Sequence, residues 1–104
     1  TGSWHQVVDH PESYPEFTST CMIASAILLG IKKGVLSRDD YRSVIAGAKQ
    51  ATLRRIAPGG FINDVCTGTG KQKNLRAYLD REAIQGRNDR AGAMALLFLT
   101  LLQQ

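Results

Sequence analysis

Metal-site and disulfide chemistry is thinly represented in this sequence: there are two cysteines, Cys21 and Cys66, far apart and without partners at metal-ligand spacing. A zinc site and a disulfide framework are both unsupported, and two buried thiols are expected. No metal and no cofactor are expected. Net charge is also small, with 13 Lys and Arg against 9 Asp and Glu giving +4. The densest basic cluster, Lys71, Lys73 and Arg76, has no interleaved aromatic until Tyr78, so no nucleic-acid surface is expected. Long apolar runs are missing too. The longest, Cys21 to Ile31, ends at Lys32-Lys33, well short of the roughly 20 residues that span a bilayer. A soluble protein with no membrane partner is expected. No signal peptide is visible, and the start at Thr1-Gly2-Ser3-Trp4 without methionine reads as a cut end.

A nucleotide loop is also wanting, although "DVCTGTGKQKNLRAY", Asp64 to Tyr78, resembles one at first sight. A phosphate cradle of the G-x-x-x-x-G-K-[ST] type needs a glycine at 65 and a hydroxyl at 72, where Val65 and Gln72 stand. A dinucleotide fingerprint needs a third glycine at 73, which is Lys73. The stretch needs another explanation.

What the sequence does contain is helix, within a length that fits a single domain over 1–104. Glu16-Phe17-Thr18-Ser19-Thr20 supplies an acid and hydroxyl caps to an unbroken apolar run, predicting a helix over 18–33 closed by Gly34. Ser37-Arg38-Asp39-Asp40 reads as a capping box. After it Tyr41, Val44, Ile45, Ala48, Thr52 and Ile56 recur at helical spacing, predicting an amphipathic helix to about Ala57. A third helix is predicted to follow Asn88-Asp89 and run through Leu102. The first and third are apolar on nearly every side, the second has one wet face, and a domain this small cannot surround a helix completely. Missing neighbours are therefore expected: the rest of a longer chain, or another copy. Between Pro58 and Asn88 a long loop is expected, ordered by Tyr78, Leu79 and Ile84, with Phe61 to Cys66 as a possible short strand.

Four segments in order, "TGSWHQVVD" (1–9), "YPEFTSTCMIASAILLGIKKGVL" (14–36), "CTGTG" (66–70) and "GRNDRAGAMALLFL" (86–99), resemble the C-terminal part of glycoside hydrolase family 105 and the related family 88. The resemblance covers essentially the whole chain. It implies an all-α fold: helical hairpins forming about the last third of an (α/α)6 barrel, carrying one long ordered loop. It also implies an unsaturated rhamnogalacturonyl or glucuronyl hydrolase, which hydrates the double bond of a 4,5-unsaturated uronic acid at an oligosaccharide end. The family's general acid and base is an aspartate in the N-terminal half of the barrel. Its tryptophan-rich surroundings have no counterpart here, so no catalytic residue is assigned and Asp64 and Asp89 are not promoted to that role. The family points to the cytoplasm.

The substrate-binding residues implied are Trp4, Gln6, Glu16, Ser19, Thr67, Thr69 and Lys71. Trp4 can stack on a sugar or anchor the core, and His5 beside it can simply be a solvated residue. Glu16, Thr18 and Ser19 can cap a helix or, at a helix N-terminus facing a cavity, accompany a uronate carboxylate; Asn88 and Asp89 pose the same choice. Thr67, Gly68, Thr69, Gly70 and Lys71 can border outer subsites, the glycines permitting positive φ and close approach, or form only a turn with a solvated lysine. Three roles follow for the chain: a binding piece of a glycuronyl hydrolase whose partner is an oligosaccharide with an unsaturated uronic acid, a non-catalytic helical module that self-associates, and, least favoured by the small charge, a binder of polyanions.

Overall fold

In the computed structural model, which describes residues 2–68 and 70–104, the order is α1 (Phe17–Lys32), α2 (Arg38–Arg54), β1 (Ile56–Ala57), β2 (Phe61–Val65), α3 (Leu75–Leu79), β3 (Ile84–Gly86) and α4 (Asp89–Leu102). Helix α1 lies between α2 and α4 and packs on both. Ala24, Ala48, Ala91 and Ala95 let the helices approach closely, while Phe17 and Phe98, both fully buried, fill the space between them. Cys21 and Cys66 are buried free thiols, as the sequence suggests.

The helix boundaries follow from local chemistry. Helix α1 closes on Gly34 (φ 77), where the Gly34 N–H donates to the Ile31 carbonyl at 3.0 Å and the Val35 N–H to the Gly30 carbonyl at 2.9 Å. This is the doubled closing bond that a left-handed glycine permits. At α2 the predicted capping box is not made: the Ser37 hydroxyl caps nothing. Asp39 pairs instead with Arg42 at 2.7 Å, and aspartate is a short closer for the return bond. Helix α2 ends at Arg54, short of Ala57, because Ile56 and Ala57 leave it to pair with Ile62 and Phe61. Of its expected apolar face Ala48 and Thr52 are buried, but Val44 is exposed and Ala51 takes a core place.

That pairing corrects the all-α expectation. The molecule is mostly helical with a three-stranded antiparallel sheet in the order β1-β2-β3. Between Ile62, opposite Gly86, and Val65, opposite Ile84, the register shifts. Asp64 takes φ 64 there, held by Arg55 Nε at 3.1 Å, while its own N–H donates to Gln85 Oε1 at 2.9 Å. The bulge turns both Ile62 and Val65 inward although they stand three apart. The expected strand over Phe61–Cys66 is present through Val65, and the expected long loop holds two strands and α3, whose first turn is capped by Asn74 Oδ1 accepting from the Ala77 N–H at 2.9 Å.

Helix α1 begins on an uncommon cap. The Glu16 side chain folds over its own helix, accepting from the Thr18 N–H at 2.9 Å and the Ser19 N–H at 2.7 Å. It also accepts from Thr18 Oγ1 at 2.7 Å and, across 50 residues, from the Cys66 N–H at 3.1 Å. Ahead of it the N-terminal segment is pinned on both sides. Gln6 N–H donates to the Tyr14 carbonyl and Glu16 N–H to the Trp4 carbonyl, both at 2.8 Å, and Trp4 N–H donates to Thr20 Oγ1 at 3.0 Å. Gly2 lies against Gly47 of α2 so closely that a Cβ on Gly2 would stand 2.1 Å from the Gly47 carbonyl oxygen.

On the outside, α1 exposes Met22 and Leu29 and α4 exposes Leu96 (68 %) and Leu97 (52 %), as expected of helices apolar on more than one side. No helix is long and apolar enough to cross a membrane among the described residues.

Replacing Glu16 by alanine is expected to cost about 2–4 kcal/mol, the sum of a lost N-cap and a buried Cys66 amide left unpartnered. Glu16→Gln keeps the shape but loses the charge-assisted bonds and is expected to fall between. Urea denaturation measures both, and a loss of only a few tenths of a kcal/mol in the alanine variant would mean that the cap does not hold the fold.

A second expectation concerns alkaline pH. Burial, only partly offset by the Thr52 hydrogen bond, pushes the Cys21 thiol up to about 11 from 9.0, and burial likewise raises the Tyr14 phenol. Both groups ionise more easily in the unfolded chain, so their stabilisation is complete below about pH 9 and is lost as pH rises toward 11. Melting temperature is expected to decline over that window, and Cys21→Ala to lessen the decline; a pH-independent melt from 8.5 to 11 would contradict it.

Candidate functional site

Where the N-terminal segment, the first turn of α1 and the chain after β2 meet, they enclose a cavity of about 410 Å³. Trp4, His5 and Gln6 of the N-terminal segment, Glu16, Thr18 and Ser19 at the start of α1, and Cys66, Gly68 and Gly70 after β2 line it. Met22, Ile23 and Val8 add apolar surface, and Tyr78 and Arg81 reach in from α3 and the turn behind it. Segments about 60 residues apart thus line one cavity.

The fixed point is Cys66. Its N–H is held by Glu16 and its carbonyl accepts from Arg90 Nη2 at 2.9 Å, so the end of β2 is tied to the starts of α1 and α4 together. The chain beyond is held from α3: Arg81 Nε donates to Thr67 Oγ1 at 2.9 Å, and the Gln72 N–H donates to the Tyr78 hydroxyl at 2.9 Å. Gly68 does not enter the left-handed region, and a Cβ there would meet Arg81 Nη2 at 3.5 Å. On the N-terminal side His5 Nδ1 is bonded to the Ser13 carbonyl. A carbonyl can only accept, so Nδ1 carries the proton in that bond.

The electrostatics are lopsided. The one carboxylate among the described lining residues, Glu16, already takes four donors, which uses about as many acceptor positions as a carboxylate has. The one cation there, Arg81, has no ion-pair partner among the described residues. Just behind the wall, the Tyr14 hydroxyl is buried with no hydrogen-bond partner among the described residues. Asp64 is spent on Arg55 and does not line the cavity. Among the described residues no three His, Cys, Asp or Glu side chains gather as a metal site. An indole and a phenol ring, an amide, bare glycine backbone and a guanidinium suit a polar ring bearing an anionic group. The pocket offers no spare carboxyl to move a proton.

Of the residues expected at a site, Trp4, Gln6, Glu16 and Ser19 come together here, with His5, Thr18, Gly68 and Gly70. Thr67 does not line the cavity but anchors Arg81 from outside, and Lys71 is exposed. Thr69 lies outside the described residues. Asn88 caps α4, its Oδ1 accepting from the Ala91 N–H at 2.9 Å, and neither it nor Asp89 lines the cavity. Sequence reasoning missed Arg81, Tyr78 and Met22. Only the basic and aromatic residues after the glycine stretch hinted at the first two, and nothing in a helix-core methionine announces a cavity.

Comparison with known proteins identifies the family of the chain. The family described as Glycosyl Hydrolase Family 88 matches residues 1–103. The unsaturated rhamnogalacturonyl hydrolase YesR of Bacillus subtilis (strain 168) is 31% identical over 101 residues, 95% of this chain and 26% of its own length. Among solved structures, a possible member of the GH105 family from Salmonella enterica serovar Paratyphi A superposes with a TM-score of 0.81 at 29% identity, over 98% of this chain and 27% of that one. A possible GH105 member from Klebsiella pneumoniae gives the same TM-score at 27% identity, over 98% and 26%. The chain spans about a quarter of the length of these relatives. With the four sequence segments, the fold and the family match all in agreement, the chain belongs to glycosyl hydrolase family 88.

Proposed function

We propose that this chain supplies one substrate-binding wall of an unsaturated glycuronyl hydrolase, as the C-terminal part of an (α/α)6 barrel, and that its substrate is an oligosaccharide ending in a 4,5-unsaturated uronic acid. The observation that carries the reading is the cavity itself. It gathers Trp4, Gln6, Ser19 and Gly68, drawn from three of the segments that resemble the family, around a space of sugar size. In it the indole of Trp4 stacks on a sugar face, and the Gln6 amide and Ser19 hydroxyl meet ring hydroxyls. Glu16 works beneath them by holding the wall together. Thr67 holds Arg81 from outside the lining, and Lys71 is exposed and takes no part in the cavity.

The proton-transfer step belongs elsewhere. The one lining carboxylate is saturated with donors, and the resemblance assigns the family's acid and base to the N-terminal half of the barrel. Positioned proton transfer contributes about 10²–10⁴-fold to rate, so the 104-residue chain alone is read as binding without turnover.

A second reading draws on the exposed apolar residues Met22, Leu29, Leu96 and Leu97. These faces call for a cover, which is the rest of the barrel in a longer protein, or a second copy when the chain stands alone.

Three outcomes are expected. The purified chain incubated with an unsaturated galacturonosyl-rhamnose disaccharide shows no decay of the ultraviolet absorbance of the double bond; measurable decay would overturn the non-catalytic assignment. Trp4→Ala lowers affinity for that disaccharide at least several-fold by NMR titration, since stacking of a ring on an aromatic face contributes of order 1 kcal/mol or more. Sedimentation at rising concentration shows association of the isolated chain, and a well-folded monomer at all concentrations would sink the self-association reading while leaving the cavity untouched.

A further inference from the structure

Arg81 is the one cation lining the cavity, and nothing anionic among the described residues answers it. Arg55, Arg42 and Arg76 each have a carboxylate partner, at 3.1, 2.7 and 2.8 Å, whereas Arg81 spends only Nε, on the Thr67 hydroxyl at 2.9 Å. That bond ties the Nε edge of the guanidinium to the Thr67 hydroxyl. It leaves the two terminal nitrogens without a hydrogen-bond partner among the described residues, and Nη2 rests over the bare backbone of Gly68 at the cavity edge. Groups close to it are poor competitors for the charge: Glu16 is filled by four donors, the Tyr14 phenol is held protonated, and Asp64 is paired with Arg55. A half-buried guanidinium tethered at Nε with both terminal nitrogens free is a fork matched to a planar oxyanion.

We propose that Arg81 is the specificity-determining residue of this wall, pairing through its two terminal nitrogens with a carboxylate of a uronic acid, and that Thr67 is the positioning residue that tethers the fork at Nε. The inference rests on the sugar-binding reading and adds to it the group that tells an acidic sugar from a neutral one. The carboxylate can belong to the terminal unsaturated uronate or to the adjoining sugar; the chemistry is the same for both.

The test titrates the 104-residue chain by NMR with three disaccharides. One carries its only carboxylate on the terminal unsaturated uronate, with rhamnose beside it. The second carries it only on the adjoining galacturonate, and the third is fully carboxyl-reduced. Arg81→Gln is expected to weaken one of the acidic ligands about tenfold, the scale of a lost charge-assisted fork, and to leave the reduced ligand within about twofold. Which acidic ligand loses affinity identifies the source of the carboxylate. Arg81→Lys is expected to recover only part of the loss, because an ammonium cannot pair bidentately. Thr67→Val is expected to lose part of the discrimination with the reduced ligand unaffected. Equal weakening of acidic and reduced ligands, or no weakening at all, overturns the role of Arg81 while the sugar site stands. A wild-type chain that binds none of the three overturns the sugar site and this inference together.

Discussion

The Glu16 carboxylate is the interaction on which the rest of this structure depends. A buried carboxylate is costly unless every lone pair is answered, and here four donors answer it: two amides of its own helix, the Thr18 hydroxyl, and the Cys66 amide from the far side of the sheet. The first three start α1, and the partial positive charge of a helix N-terminus favours the anion. The fourth is long-range, and it converts a local cap into a joint between the N-terminal third and the central part of the chain. Arg90 extends the joint by binding the Cys66 carbonyl, which brings α4 to the same point.

The cavity is a by-product of that joint. Trp4 to Gln6 are held over α1 by the Trp4 carbonyl, which accepts from the Glu16 amide, and by Thr20, while Cys66 is held by Glu16 itself. Each side hangs on a helix start. Walls fixed in this way need little reorganisation when a ligand enters, and pre-formed geometry is where weak polar contacts become selective. The apparent phosphate loop is thus a strand exit whose Gly68 lies under Arg81, and its Lys71 is exposed and outside the cavity lining.

Much of this was legible in the sequence because helices announce themselves. The run after Thr18, the Gly34 stop and the Asn88 cap each rest on contacts within a few residues, and each is found in place. The sheet was hard to read for a physical reason. Its core residues Ile62 and Val65 stand three apart, which breaks the two-residue alternation of a strand, and the bulge at Asp64 that reconciles them depends on Arg55 and Gln85, partners outside the strand. The site was half legible. Trp4, Gln6 and Ser19 lie in segments with a family likeness, whereas Arg81 enters through a bond to Thr67, fourteen residues away, that no local pattern encodes. The Ser37 box failed because a cap motif states what a side chain could do, and Asp39 had a nearer partner in Arg42.

The exposed apolar face and the cavity are connected through one residue. Met22 lines the cavity and is itself 53 % exposed; Ala26 and Leu29 continue the same exposed stripe of α1 at helical spacing. A surface that covers this stripe therefore also borders the cavity at Met22. Met22 is thus the side chain at which the packing of α1 and the lining of the cavity meet.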